Sequence, residues 1–110
     1  MQQIYKLSSM CVVMADRITP EKLAKYFDVT GRALQKIKIP KTPPHPNLSD
    51  VAKDFLDMAQ RYYADAKHFQ EKGDIVTAFA ALNYAHAWLD AGARMGIFDV
   101  GKDSALFTVD

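Results

Sequence analysis

HFQEKGDIVTAFAALNYAHAWLDAGARMG, residues 68–96, contains a helix end, a turn and a whole helix, enough to set the arrangement of most of the chain. Gly73 is the residue type that closes a helix in the left-handed conformation, and Asp74 is a good cap for the helix that follows. So short a turn makes the helices on either side an antiparallel hairpin. The later helix runs from about Ile75 to Met95 and stops at Gly96. Ala78, Ala80, Ala81, Ala85, Ala87, Ala91, Gly92 and Ala93 leave little bulk around most of it. Small residues let neighbouring helix axes approach closely, so this third helix is expected to be central, touching both other helices or a second subunit.

Working towards the N-terminus, a second helix is predicted from about Ser49 to Lys72. Val51, Phe55, Met58, Ala59, Tyr62, Ala66 and Phe69 form its apolar stripe, and Lys53, Asp57, Gln60, Lys67 and Glu71 its wet side. Asp57, Arg61 and Asp65 stand four apart and can pair along its surface. Before it, KIPKTPPHPNLSD, residues 38–50, has prolines at 40, 43, 44 and 46, which exclude helix and predict a stiff extended connector. The first helix opens at RITPEKLAKYF, with Thr19 as N-cap, Pro20 at the first helical position and Glu21 at the positive dipole end. Leu23, Phe27, Leu34 and Ile37 keep helical spacing through Gly31, which reads as a close-packing point within one helix.

The flanks are less structured on this reading. Residues 1–16 form an N-terminal extension, expected to be flexible, and 101–110 a C-terminal tail. The ALFTV of that tail could pack as an extended strand-like segment or lie loose. Met14 begins MADRITPEKL, a natural start, so residues 1–14 are expected to be dispensable for folding.

Composition bounds the class. A chain of 110 residues with 49% apolar and 25% charged residues is one ordinary globular domain. No run of about 18 apolar residues exists to span a membrane, and the start has no convincing signal peptide. Cys11 is the only cysteine, which fits a reducing cytoplasm. Net charge is +1, but residues 1–48 hold eight Lys and Arg against three acids, giving +5, and residues 49–110 hold six against ten, giving −4. The two parts can attract each other, or the basic part can meet an acidic partner.

On the third helix, Asn83, His86, Asp90 and Arg94 fall within one sector of roughly 80° at 100° per residue. The bland reading is a wet helix side with His86–Asp90 and Asp90–Arg94 pairs. The sharper one is a site: Asp90 orients His86, Arg94 holds an anion and Asn83 completes a polar pocket. A third is an oligomer interface, for which Tyr84, Trp88 and Arg94 are the anchoring residue types. Because Asp90 follows Trp88 and Leu89 on a central helix, it is expected to sit in a partly buried network, structural before functional.

No metal site is expected, since His86 and Asp90 lack further ligands and His45 and His68 lie elsewhere. No Gly-rich phosphate loop, nucleophile elbow or CxxC occurs, and no cofactor is expected. An RNA partner would use Lys22, Lys25, Arg32, Lys36, Lys38 and Lys41, but the central helix is the least basic.

RYYADAKHFQEKGDIVTAFAALNYAHAWLDAGARMGIFDV, residues 61–100, closely resembles the archaeal domain-of-unknown-function family 357 (DUF357). The resemblance is carried by an aromatic-Asp-Ala helix (Tyr62, Asp65, Ala66, Phe69), a Lys-Gly-Asp turn, then Ala78, Phe79, Tyr84, Ala85, Trp88, Leu89, Asp90, Ala91, Gly92 and Gly96. KLAKYFDVTGRALQKI extends it to roughly residues 17–100. Ala87 departs from the family, whose members often have glycine there. The resemblance implies an archaeal cytoplasmic protein with a compact helical bundle, and it implies no activity.

The reading is therefore an all-α three-helix bundle, helices two and three forming the hairpin and helix one packed across them, with the bundle domain at 17–100. The preferred function is a non-enzymatic protein-interaction module, binding a protein partner or itself, with no membrane role. The alternatives are a small-ligand binder or enzyme using Asn83, His86, Asp90 and Arg94, and an RNA-associated accessory protein.

Overall fold

The computed structural model describes residues 16–41, 47–101, 103 and 105–107. The readings of residues 1–15 and of the connector prolines Pro43, Pro44 and Pro46 lie outside the described residues. Three helices form among the described residues: α1 (Pro20–Lys36), α2 (Leu48–Glu71) and α3 (Ile75–Met95). The fold is the predicted all-α three-helix bundle, with the α2–α3 hairpin as its most extensive contact.

Each boundary has a local cause. The Thr19 hydroxyl accepts from the Lys22 amide at 3.1 Å, and Pro20 follows where its missing N–H costs nothing. At the hairpin, Gly73 takes φ +81°, and the Gly73 and Asp74 amides fold back onto the Gln70 and Phe69 carbonyls. Asp74 then caps α3 by accepting from Thr77 N at 3.1 Å. Gly73→Val is expected to cost more than about 1 kcal/mol in denaturant unfolding, because a β-branched residue is strained at positive φ. Space is not the obstacle, since an added Cβ would meet nothing within 4 Å. An unchanged midpoint would show that the turn adopts another conformation.

Packing follows the small residues. Ala52, Ala59 and Ala66, seven apart along α2, are fully buried against the side of α3 that carries Ala78, Ala85 and Leu89. Gly31 stays inside a continuous α1, and a side chain there would meet the Tyr63 hydroxyl at 2.7 Å. That hydroxyl donates to the Phe27 carbonyl at 3.4 Å. Burial, helped by the nearby Asp28 charge, pushes the Tyr63 phenol above its ordinary value, so it remains a donor through the neutral range. α3 touches both neighbours, whereas α1 and α2 meet far less. One apolar cluster, around Leu23, Ala66, Ala78 and Leu82, lies towards the start of α3, and a larger one around Leu89 lies towards its end.

The chain beyond α3 differs from expectation. Ile97, Phe98, Val100, Leu106 and Phe107 are all buried in the larger cluster. Residues 105–107 form turns, neither a strand nor a loose end. The chain reverses at Gly96 (φ +77°), and Lys38 and Asp99 exchange backbone hydrogen bonds in one isolated antiparallel bridge. The Asp103 carboxylate accepts from the Ala105 and Leu106 amides at 3.1 and 3.2 Å, and Lys36 Nζ sits 3.3 Å from its other oxygen. The physical reason is that α1 and α2 leave the end of α3 open between them, and these apolar side chains fill the gap.

Candidate functional site

The predicted polar sector of α3 divides among three environments. Asn83, His86 and Asp90 do share a groove, of about 330 Å³, whose other wall is Lys25, Tyr26, Val29 and Thr30 of α1. Arg94 is exposed and is not among the residues lining it. Neither Asp90 nor Arg94 is without a partner.

His86 is the most engaged of the group. Its Nδ1 lies 3.0 Å from the Thr30 hydroxyl and its Nε2 lies 2.7 Å from the Leu106 carbonyl oxygen. A carbonyl can only accept, so Nε2 must carry a proton. In the neutral ring Nδ1 is then the acceptor, and the Thr30 hydroxyl donates to it. Thr30 is 2% exposed and is the one buried polar residue among the described residues. The Phe107 ring stacks on the imidazole with centroids 6.4 Å apart. His86 thus joins α1, α3 and the C-terminal segment. Asp90 Oδ1 stands 3.8 Å from the same Nε2, at the margin of an ion pair, on a side chain 31% exposed.

Asn83 turns back on its own helix, donating to the Phe79 carbonyl at 2.9 Å. Tyr84 and Trp88 project to the α2 side of α3. Tyr84 meets Tyr62 edge-on at 4.4 Å, and Trp88 meets Phe55 at 4.9 Å. The Trp88 Nε1 is buried with no hydrogen-bond partner among the described residues, and nothing in the structure explains it. A second, mostly apolar groove of about 400 Å³ lies on this side, lined by Tyr62, Asp65, Phe69, Thr77, Ala81 and Tyr84 among others.

Thr30 and the Leu106 carbonyl are the parts that the sequence reading did not nominate. Thr30 sits seven residues after Leu23, on the apolar side of α1, and that position is the available signal for a buried hydroxyl. Backbone carbonyls carry no such signal. Among the described residues, no group of three or more His, Cys, Asp or Glu is placed to hold a metal. No helix there is long and apolar enough to cross a membrane.

Asp103 controls the segment that reaches His86. Partial burial would raise its carboxyl, but the Lys36 ammonium and the Leu106 and Ala105 amides outweigh that and hold it below the ordinary value. A depressed folded-state value contributes stability that is complete above the unfolded value, about 3.9, and is lost as pH falls through the folded one. Acidification from about pH 6 to well below about 4 should therefore loosen Ala105, Leu106 and Phe107. Amide exchange at Leu106 and Phe107 reads this directly. The same acid sensitivity in Asp103→Asn would assign the effect to another group.

Bundle and groove together define a small all-α protein whose polar residues are drawn into holding its elements together. The chain belongs to the DUF357 family of proteins of unknown function, whose family model matches residues 25–98. No curated protein and no solved structure matches it.

Proposed function

We propose that this chain is a non-enzymatic interaction module of the cytoplasm that docks through the outward side of α3. The observation that carries this reading is the contrast between the two sides of that helix. The inner side is closed by Leu82, Ala85 and Leu89, all with no exposure. The outer side keeps Val76 72%, Met95 53% and Tyr84 46% exposed, with Ala80, Ala87 and Ala91 between them also exposed. A continuous apolar strip along one helix side, unlike single scattered residues, is the kind of surface that marks an interaction site.

The polar groove beside this surface favours a second reading, a site for a small ligand, because it is concave and has Lys25, Asn83 and Asp90 on its walls. Against catalytic use, both His86 ring nitrogens already face structural partners. The RNA reading loses ground because Arg32 faces Asp28 at 3.5 Å and Lys36 faces Asp103 at 3.3 Å, so two of its six cations are engaged.

A photoreactive phenylalanine in place of Tyr84, compared in native cells with the same group at the exposed Gln60 of α2, tests the module reading. Discrete crosslinked protein species at 84 and none at 60 are expected. Equal diffuse labelling at both positions would reject the surface.

A further inference from the structure

We propose that the outward side of α3 receives a second copy of this chain, in a parallel two-fold arrangement that sets Lys25 of each protomer against Asp65 of the other. This rests on the interaction-module reading and specifies the partner.

Two grooves flank the surface. On one side of α3, Lys25 lines the groove with Asn83 and Ala87; on the other, Asp65 lines the groove with Thr77, Ala81 and Tyr84. Both side chains belong to exposed residues, and neither makes an ion pair among the described residues. Their helices meet α3 at neighbouring levels, although the Lys25 groove runs on past Asn83 to His86 and Asp90. Tyr26, next to Lys25, packs its ring 4.6 Å from Phe79, and Phe79 lies between Thr77 and Ala81 of the other groove.

α1 runs parallel to α3: Tyr26 faces Phe79, Thr30 faces His86 and Lys38 faces Asp99 in ascending order. α2 runs the other way. A two-fold axis along α3 in the plane of contact therefore lays the α1 flank of one copy over the α2 flank of the other, without changing level. Each copy then offers a lysine where its partner offers an aspartate, twice per dimer. An axis across the helices instead lays α1 on α1 and sets the basic flanks against each other. Charge complementarity selects the first. The division of +5 and −4 between residues 1–48 and 49–110 has the same sense.

The surface suits a helix partner. Ala80, Ala87 and Ala91 on its crest present only methyl groups, which permits axes to approach to about 8 Å. A patch about 30 Å long and about 20 Å wide supplies roughly 600 Å² per protomer, or roughly 1,200 Å² in total, at the lower edge of stable interfaces. A dimer that dissociates on dilution follows.

Sedimentation equilibrium of the full chain over about 1–500 µM tests this. A monomer–dimer equilibrium is expected, with Lys25→Asp and Asp65→Lys each weakening it by about tenfold, since one substitution removes both symmetric pairs. The double reversal should restore the wild-type constant to within about threefold. A chain that is monomeric throughout overturns the proposal, as does a dimer indifferent to both changes or a double reversal that fails to rescue. Dimerisation only of a chain begun at Met14 also overturns it, by assigning the surface to the preceding residues. A monomer that still crosslinks at position 84 in cells rejects self-association while leaving the interaction surface standing; absence of both rejects the module reading too.

Discussion

Replacing Gly92 with alanine is expected to lower stability by about 2–4 kcal/mol, although alanine is the better helix former by about 1 kcal/mol. A Cβ at this position would overlap the Cδ2 and Cε2 atoms of the Phe98 ring. That ring is 3% exposed, and its backbone is tied to the site, because the Ile97 and Phe98 amides both donate to the Gly92 carbonyl at 3.0 and 3.3 Å. Neither the ring nor the helix can move away without opening the larger apolar cluster. Expelling the ring would cost as much as a large-to-small core substitution. A double-mutant cycle isolates the cause: in a Phe98→Ala background, Gly92→Ala should cost little, giving a coupling of at least about 1 kcal/mol. Additive losses would mean that Gly92 matters for another reason.

His86→Ala carries the second large effect, again about 2–4 kcal/mol. It removes a half-buried ring stacked on Phe107 and strips hydrogen-bond partners from the Thr30 hydroxyl and the Leu106 carbonyl. Unpaired buried polar groups cost more than the bonds they made were worth, so removing both ends should be milder than removing one. Thr30→Val added to His86→Ala is therefore expected to cost less than the sum of the two single changes. The loss should appear first at the chain end, as faster amide exchange at Leu106 and Phe107. Unchanged exchange there would show that the segment is held without His86. A ring that binds three elements is a poor candidate for a proton-transferring catalyst, and this moves the functional reading from the groove to the surface beside it.

The legible parts of this fold are those written in local chemistry. Thr19-Pro20 and Lys72-Gly73-Asp74 mark helix ends through capping, which needs only neighbouring residues. The many alanines of α3, with Gly92, announce a central helix for the same reason. The chain beyond Gly96 was illegible because Ile97, Phe98, Val100, Leu106 and Phe107 have neither helical nor strand period. Their burial is decided by the gap between α1 and α2, and it is fixed by an Asp103 turn and a single bridge to Lys38. In the candidate site, the shared sector of Asn83, His86 and Asp90 follows from helix geometry alone. Their partners do not, because Thr30 lies 56 residues away in sequence and the Leu106 contribution is a backbone oxygen. Tyr84 and Trp88, nominated together as interface anchors, separate for a related reason. Trp88 faces Phe55 across the hairpin, while Tyr84, one turn earlier, stays 46% exposed.

α3 has two sides, one that builds the fold and one left outside it. Thermal melting of Ala87→Glu/Ala91→Glu at several protein concentrations tests this most directly. Two glutamates on a solvated surface should leave the midpoint within about 2 °C in dilute protein, with any loss growing as concentration rises and association contributes. A fall of about 5 °C or more that does not depend on concentration would contradict this division, because it would place both alanines inside the folded chain itself.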